Sequence, residues 1–212
     1  MAKYTHLIWD FNGTIFDDAD AGIDAVNKML SERGIPIIPN KERYREVFDF
    51  PIKDYYQNLG FDFENEPYEV LAPKWVALYE ENAKNAGLMN GVRETMESIN
   101  SLGIDQSVLS ACEIGMLERY LSRFGIRDYL SSVTGLDNIH AKGKIELAAE
   151  WKSLHRDAVA LMVGDTTHDY LTAKALGADC ILYAGGHQSR AKLEKCGCPV
   201  VDKISDIIIF LK

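Results

Sequence analysis

Polar residues able to do chemistry stand just past a series of short apolar runs. Asp10 follows Leu7-Ile8-Trp9, Ser110 follows Val108-Leu109, and Asp165 follows the run from Val159 to Val163. Lys142 and Lys144 lie downstream of Ser132-Val133-Thr134, and Asp169 comes one helical turn after Asp165. Together these residue types suit one reaction. A carboxylate can attack phosphorus and carry the phosphoryl group as an aspartyl phosphate. Further carboxylates beside it would repel a phosphate unless a divalent cation sat between them, and Mg²⁺ takes oxygen ligands of this kind. A hydroxyl and an ammonium complete the clamp on the transferring group. Any one aspartate after a strand is ordinarily a helix cap. Four strand ends carrying this set are hard to attribute to caps.

The elements that must position these residues follow from the apolar pattern. Strand-like runs fall at Leu7–Phe11, Ser107–Ser110, Ser132–Thr134, Val159–Val163, Cys180–Tyr183 and Val200–Val201. Between them lie stretches of helical period, such as Leu147, Ala148 and Trp151, or Ile114, Leu117, Leu121 and Phe124. This alternation predicts an α/β fold, a parallel sheet between two helical layers. Such sheets bind ligands beyond the carboxyl ends of their strands. From Asp18 to about Gly87 no strand is expected. Val26, Met29 and Leu30 form one helical stripe, and Trp75, Leu78 and Tyr79 another. The predicted organisation is a Rossmann-like core of residues 1–17 and 88–212, with an all-helical cap of residues 18–87 over the sheet's carboxyl edge.

The 212 residues carry a net charge of -9. That balance argues against a nucleic-acid surface and requires local positive charge at any phosphate site. No apolar run approaches a membrane span, and the first ten residues do not resemble a signal peptide. Cys112, Cys180, Cys196 and Cys198 are expected to be reduced structural thiols in a cytoplasmic protein; Cys196 and Cys198 lack a second ligand pair for a metal.

The motifs resemble those of the haloacid dehalogenase superfamily, in its phosphoglycolate-phosphatase-like and beta-phosphoglucomutase-like branch. The family's Asp-x-Asp-x-Thr appears as Asp10-Phe11-Asn12-Gly13-Thr14, its strand ending in Ser or Thr as Val108-Leu109-Ser110, and its Gly-Asp-x-x-x-Asp as Gly164 to Asp169. The helical insert falls where that branch carries its cap. The resemblance implies a Mg²⁺-dependent phosphohydrolase acting on a small phosphorylated metabolite. It makes Asp10 the nucleophile and a metal ligand, with Asp165, Asp169 and the backbone carbonyl of Asn12 completing the metal site. Thr14 and Ser110, with the backbone N–H groups of Gly13 and Ala111, would bind the phosphoryl group. Alignment of Gly143-Lys144-Ile145-Glu146 selects Lys144 as the motif lysine, with Lys142 as the alternative.

One residue departs from the pattern. Asn12 stands where the family's phosphatases carry the aspartate that protonates the leaving oxygen and later deprotonates water. Such help is typically worth ~10²–10⁴ in rate. If only the proton transfer is lost, Asn12→Asp should speed alkyl phosphate hydrolysis and leave aryl phosphates nearly unchanged. His168 is a candidate substitute acid, though a capping or solvent-facing role is the simpler expectation; Asn12-Gly13 is also a deamidation-prone dipeptide. Two other functions stay open: phosphonatase-like C–P cleavage through a Schiff base on Lys53, and a non-catalytic phosphate-binding regulator. His6, His140, His155 and His187 are expected to be structural, Trp75 and Tyr79 cap core, and Asp17, Asp18 and Asp20 a solvated helix start. Arg43, Arg45, Lys53 and Tyr55 are the cap residues considered for substrate contact.

Overall fold

The computed structural model describes residues 3–137 and 143–211. Six parallel strands form one sheet in the order β3-β2-β1-β4-β5-β6: β1 His6–Trp9, β2 Asp105–Glu113, β3 Ser132–Leu136, β4 Ala160–Gly164, β5 Asp179–Tyr183 and β6 Val200–Val201. All six expected runs are strands. β1 is central because it is buried on both faces, and period-two alternation sorts its side chains. Leu7 and Trp9 enter one hydrophobic cluster with Val108, Leu161, Val163 and Ile181. Ile8 enters the other with Leu109, Met162 and Leu182. The first cluster is covered by α5 (Val92–Ser101) and α6 (Ile114–Arg123), which supply Met96, Ile99, Leu117 and Leu121. The second is covered by α7 (Lys144–Leu154) and α8 (Thr167–Leu176), which supply Ala148, Trp151, Ala173 and Leu176.

Between β1 and α5 the chain makes four helices: α1 Ala19–Glu32, α2 Lys41–Val47, α3 Ile52–Leu59 and α4 Tyr68–Ala83. Their own cluster contains Val26, Met29, Leu30, Tyr44, Tyr55, Tyr56, Phe61 and Leu71. An isolated bridge between Phe16 and Leu88 closes the neck of this insert. Among the described residues, no helix is long and apolar enough to cross a membrane.

The chain runs from β1 through β2 to β3 on one side, then from β4 to β6 on the other. The switch point therefore lies at the carboxyl ends of β1 and β4. Trp9 pairs with Val163, and the Asp10 N–H donates to Val163 O at 2.8 Å. That register sets Asp10 beside the Gly164-Asp165 step.

Candidate active site

Carboxylate oxygens of Asp10, Asp165 and Asp169 lie within 4.8 Å of one another, and all three residues are buried. Lys144, the first residue of α7, is also buried and forms ion pairs with Asp10 and Asp169. Lys144 is thus the lysine brought to the aspartates, whereas Lys142 and His140 lie outside the described residues.

Local sequence explains how the fourth motif folds. Thr166 caps α8: its Oγ1 accepts from Asp169 N, while Asp169 Oδ2 accepts from Thr166 N at 2.9 Å. The same Oδ2 accepts from Asp165 N at 3.1 Å and from Thr166 Oγ1 at 2.6 Å. Asp169 Oδ1 is left to face Lys144. The Asp169 side chain lies over Gly164, where a Cβ would sit 2.3 Å from it, so no larger residue fits there. Gly13 is required too: its φ is 74°, and a Cβ would sit 2.3 Å from Asp165 Oδ2.

Thr14 Oγ1 donates to Asp165 Oδ1 at 2.9 Å. Ser110 is buried within β2, which continues past it to Glu113; its Oγ accepts from Cys112 N at 3.0 Å, while Ala111 beside it is exposed. The Gly13 N–H is already engaged by Phe16 O at 2.9 Å and Asp18 Oδ1 at 2.8 Å, so anion binding by this group would require their release.

Burial holds the Asp10 carboxyl well above its usual range; the Asp169 charge adds to this and Lys144 opposes it. Burial likewise lifts Asp165 to about 6, against the pull of His187. Burial would raise Asp169 too, but Lys144 outweighs it and holds it low. Lys144 itself is raised, because the charges of Asp10 and Asp169 outweigh its desolvation. When all three carboxylates are ionised, one ammonium faces three negative charges. An all-oxygen donor set with that excess suits a hard divalent cation rather than a thiophilic one.

Several expectations require correction. Asp18 is not a solvated helix start: it is 1% exposed, and its side chain makes no cap hydrogen bond to α1. Its Oδ2 instead accepts from Asn12 Nδ2 at 2.8 Å and Tyr79 OH at 2.6 Å, and its Oδ1 from Gly13 N. Tyr79 is buried as core, yet its hydroxyl belongs to this network and also accepts from Asn12 Nδ2 at 2.8 Å. His187 is not remote. Its Nε2 lies 3.3 Å from Asp18 Oδ1, its N–H donates to Asp165 Oδ2 at 2.6 Å, and Nδ1 meets Tyr44 OH at 2.8 Å. Burial would lower the imidazole, but the nearby Asp18 charge outweighs it and raises it to about 9. His168 neither caps α8 nor faces open solvent, since its ring stacks on Phe50 at 4.8 Å. Lys53 is exposed over the rings of Phe63 and Tyr68, not desolvated as a Schiff-base lysine must be. Arg43 pairs with Glu46 at the surface, and Arg45 donates to the carbonyls of Gly185 and Gly186. Tyr55 is buried with no partner for its hydroxyl.

Asp18 went unrecognised because nothing local marks it as more than a helix start, and His187 because the strand-end rule was not carried to β5. The rule that found Asp10 and Asp165 finds His187 when applied to β5, whose carboxyl end leads into Gly185-Gly186-His187.

The insert rests on this loop. Ser189 N donates to Arg45 O at 3.0 Å, and Lys192 Nζ reaches Phe48 O at 2.8 Å and Asp49 Oδ2 at 2.9 Å. These bonds set the stretch from Tyr44 to Phe50 over the site.

Known proteins share this chain's sequence pattern and fold. The chain is 27% identical over 210 residues to the probable phosphatase IndB of Dickeya dadantii, covering 95% of this chain and 91% of that protein. It is 24% identical over 186 residues to the phosphoglycolate phosphatase of Rhodobacter capsulatus, covering 86% and 85%. Its fold matches that of the haloacid dehalogenase-like family protein SP0104 from Streptococcus pneumoniae with a TM-score of 0.84, at 17% identity and over 99% of both chains. Residues 7–183 match the haloacid dehalogenase-like hydrolase family, and the chain belongs to that family.

Proposed function

We propose that this protein is a Mg²⁺-dependent phosphohydrolase that transfers the phosphoryl group of a small metabolite to Asp10 and then to water. The observation that supports this most is the cluster of Asp10, Asp165 and Asp169 around Lys144 at the switch point. In the first step an Asp10 carboxylate oxygen forms a bond to phosphorus as the bond to the leaving oxygen breaks. In the second, water attacks phosphorus, releasing inorganic phosphate and restoring the carboxylate. Lys144 holds Asp10 and lowers the charge facing the substrate. Thr14 and Ser110 would donate to the phosphoryl oxygens; Thr14 would give up its bond to Asp165, whereas Ser110 Oγ can donate while still accepting from Cys112 N. Asp10, Asp165, Asp169 and the carbonyl of Asn12 would hold the magnesium ion. When bound, that ion supplies positive charge to the transferring group.

Residues 18–87 form the cap in this proposal, and residues 1–17 with 88–212 the core. Closure by the Tyr44–Phe50 stretch limits the substrate to a small one and excludes water before transfer. Among the described residues of the insert, Tyr55 carries a buried hydroxyl with no hydrogen-bond partner, which makes it a candidate substrate contact once the insert opens. Phosphoglycolate, named by the relatives, belongs in the first panel, beside sugar and aryl phosphates. Release of phosphate from that panel with Mg²⁺, and its loss on chelation, tests the reading. Phosphate binding with no turnover on any ester would instead favour a regulatory binder.

A further inference from the structure

The carboxylate missing from residue 12 is matched by one at residue 18. Asp18 sits at the N-terminal boundary of α1, where an aspartate ordinarily caps the helix, but its side chain turns inward. An ionised carboxylate has about four acceptor positions, and here four donors converge on it. They come from Asn12 Nδ2, Gly13 N, Tyr79 OH and His187 Nε2. The donors belong to the first-motif turn, to α4 and to the loop after β5. Through His187 the network also reaches Asp165 and, on the insert, Tyr44.

An amide is the one group isosteric with aspartate that can serve at residue 12. Its Nδ2 stands 2.8 Å from Asp18 Oδ2 and donates to it. A carboxylate there would lose that bond and set a second negative charge against the buried Asp18 carboxylate, which is costly. We propose that Asp18 is a positioning residue that holds residue 12 as an amide and locks the first-motif turn to the insert. The site is then built to work without a carboxylate at residue 12. Restoring that carboxylate requires changing residue 18 as well. This differs from the simple expectation that Asn12→Asp alone regains alkyl phosphate turnover.

The catalytic half of this proposal rests on the phosphohydrolase reading; the structural half does not. The test is a four-protein cycle of wild type, Asn12→Asp, Asp18→Asn and Asn12→Asp/Asp18→Asn. Thermal midpoints are measured first on metal-free protein without substrate. Each single variant should melt lower than wild type, and the double should recover towards it, because donor and acceptor are exchanged. Asn12→Asp as stable as wild type, or a double variant whose losses simply add, would overturn the pairing. Tyr79→Phe removes one donor without adding charge and should lower the midpoint less than Asn12→Asp does. Turnover is then compared on an alkyl and an aryl phosphate. Asn12→Asp should gain nothing on the alkyl ester, whereas the double should gain within the ~10²–10⁴ range of general acid catalysis. The ratio of alkyl to aryl rates should rise in the double variant and in neither single one, a leaving-group dependence that mere loss of structure does not produce. Equal alkyl gains in the single and double variants would contradict the proposal. If none of the four proteins cleaves any ester, the phosphohydrolase reading fails, and the stability cycle still decides the role of Asp18.

Discussion

At the scale of residues, the site is a charge arrangement that tolerates few single changes. Lys144 is buried between Asp10 and Asp169, so Lys144→Ala leaves two carboxylates facing one another without a counter-ion. Breaking a buried pair in this way costs about 3–5 kcal/mol. Urea denaturation should show a loss of that order in metal-free protein, and added Mg²⁺ should recover part of it. Full stability in metal-free Lys144→Ala would mean that Asp10 and Asp169 are neutral in the folded state. Most of these residues were legible in the sequence because each stands at a strand end, where an apolar run stops and a polar residue follows. Asp18 and His187 were not, because their pairing joins the start of the insert to the loop after β5 and leaves no periodic trace between.

The elements themselves were legible for a similar reason. Strands buried on both faces read as short apolar runs, and the helices between them carry one apolar stripe, so β1 to β6, α6 and α7 follow from pattern alone. The way the insert closes was less visible, because it depends on side chains reaching backbone carbonyls, as Arg45 and Lys192 do. A second tie within the insert joins Arg33, at the end of α1, to Glu66, just before α4, in a two-bonded ion pair. The Arg33 guanidinium, helped by Lys74, holds the Glu66 carboxyl down to about 2 against an ordinary 4.5. A depressed carboxylate contributes stability that is full above the ordinary value and lost as pH falls through the folded one. The insert should therefore weaken between pH 4.5 and about 2. Both side chains are partly exposed, so the effect is small and screened by salt. NMR titration of Glu66 should give a midpoint near 2 in wild type and one in the ordinary range in Arg33→Ala. An unchanged midpoint in the variant would assign the depression to Lys74 instead.

For the whole molecule, the net charge of -9 acts on every anionic substrate that approaches. Long-range repulsion slows association and is screened within about 10 Å at 0.1 M salt. At fixed free Mg²⁺, kcat/KM for a small phosphate ester should therefore rise with ionic strength. A fall would show that the local field of Lys144 and the bound cation dominates the approach. The fold brings β1 and β4 together, and in the proposed mechanism Asp10 accepts the phosphoryl group covalently. Borohydride reduces an acyl phosphate to the alcohol, so quenching the protein with borohydride during turnover should convert Asp10 to homoserine, located by peptide mass spectrometry. The modification should require both Mg²⁺ and a phosphoryl substrate, and should vanish with turnover in Asp10→Asn. Steady turnover with Asp10 unmodified, or continued activity in Asp10→Asn, would contradict the account.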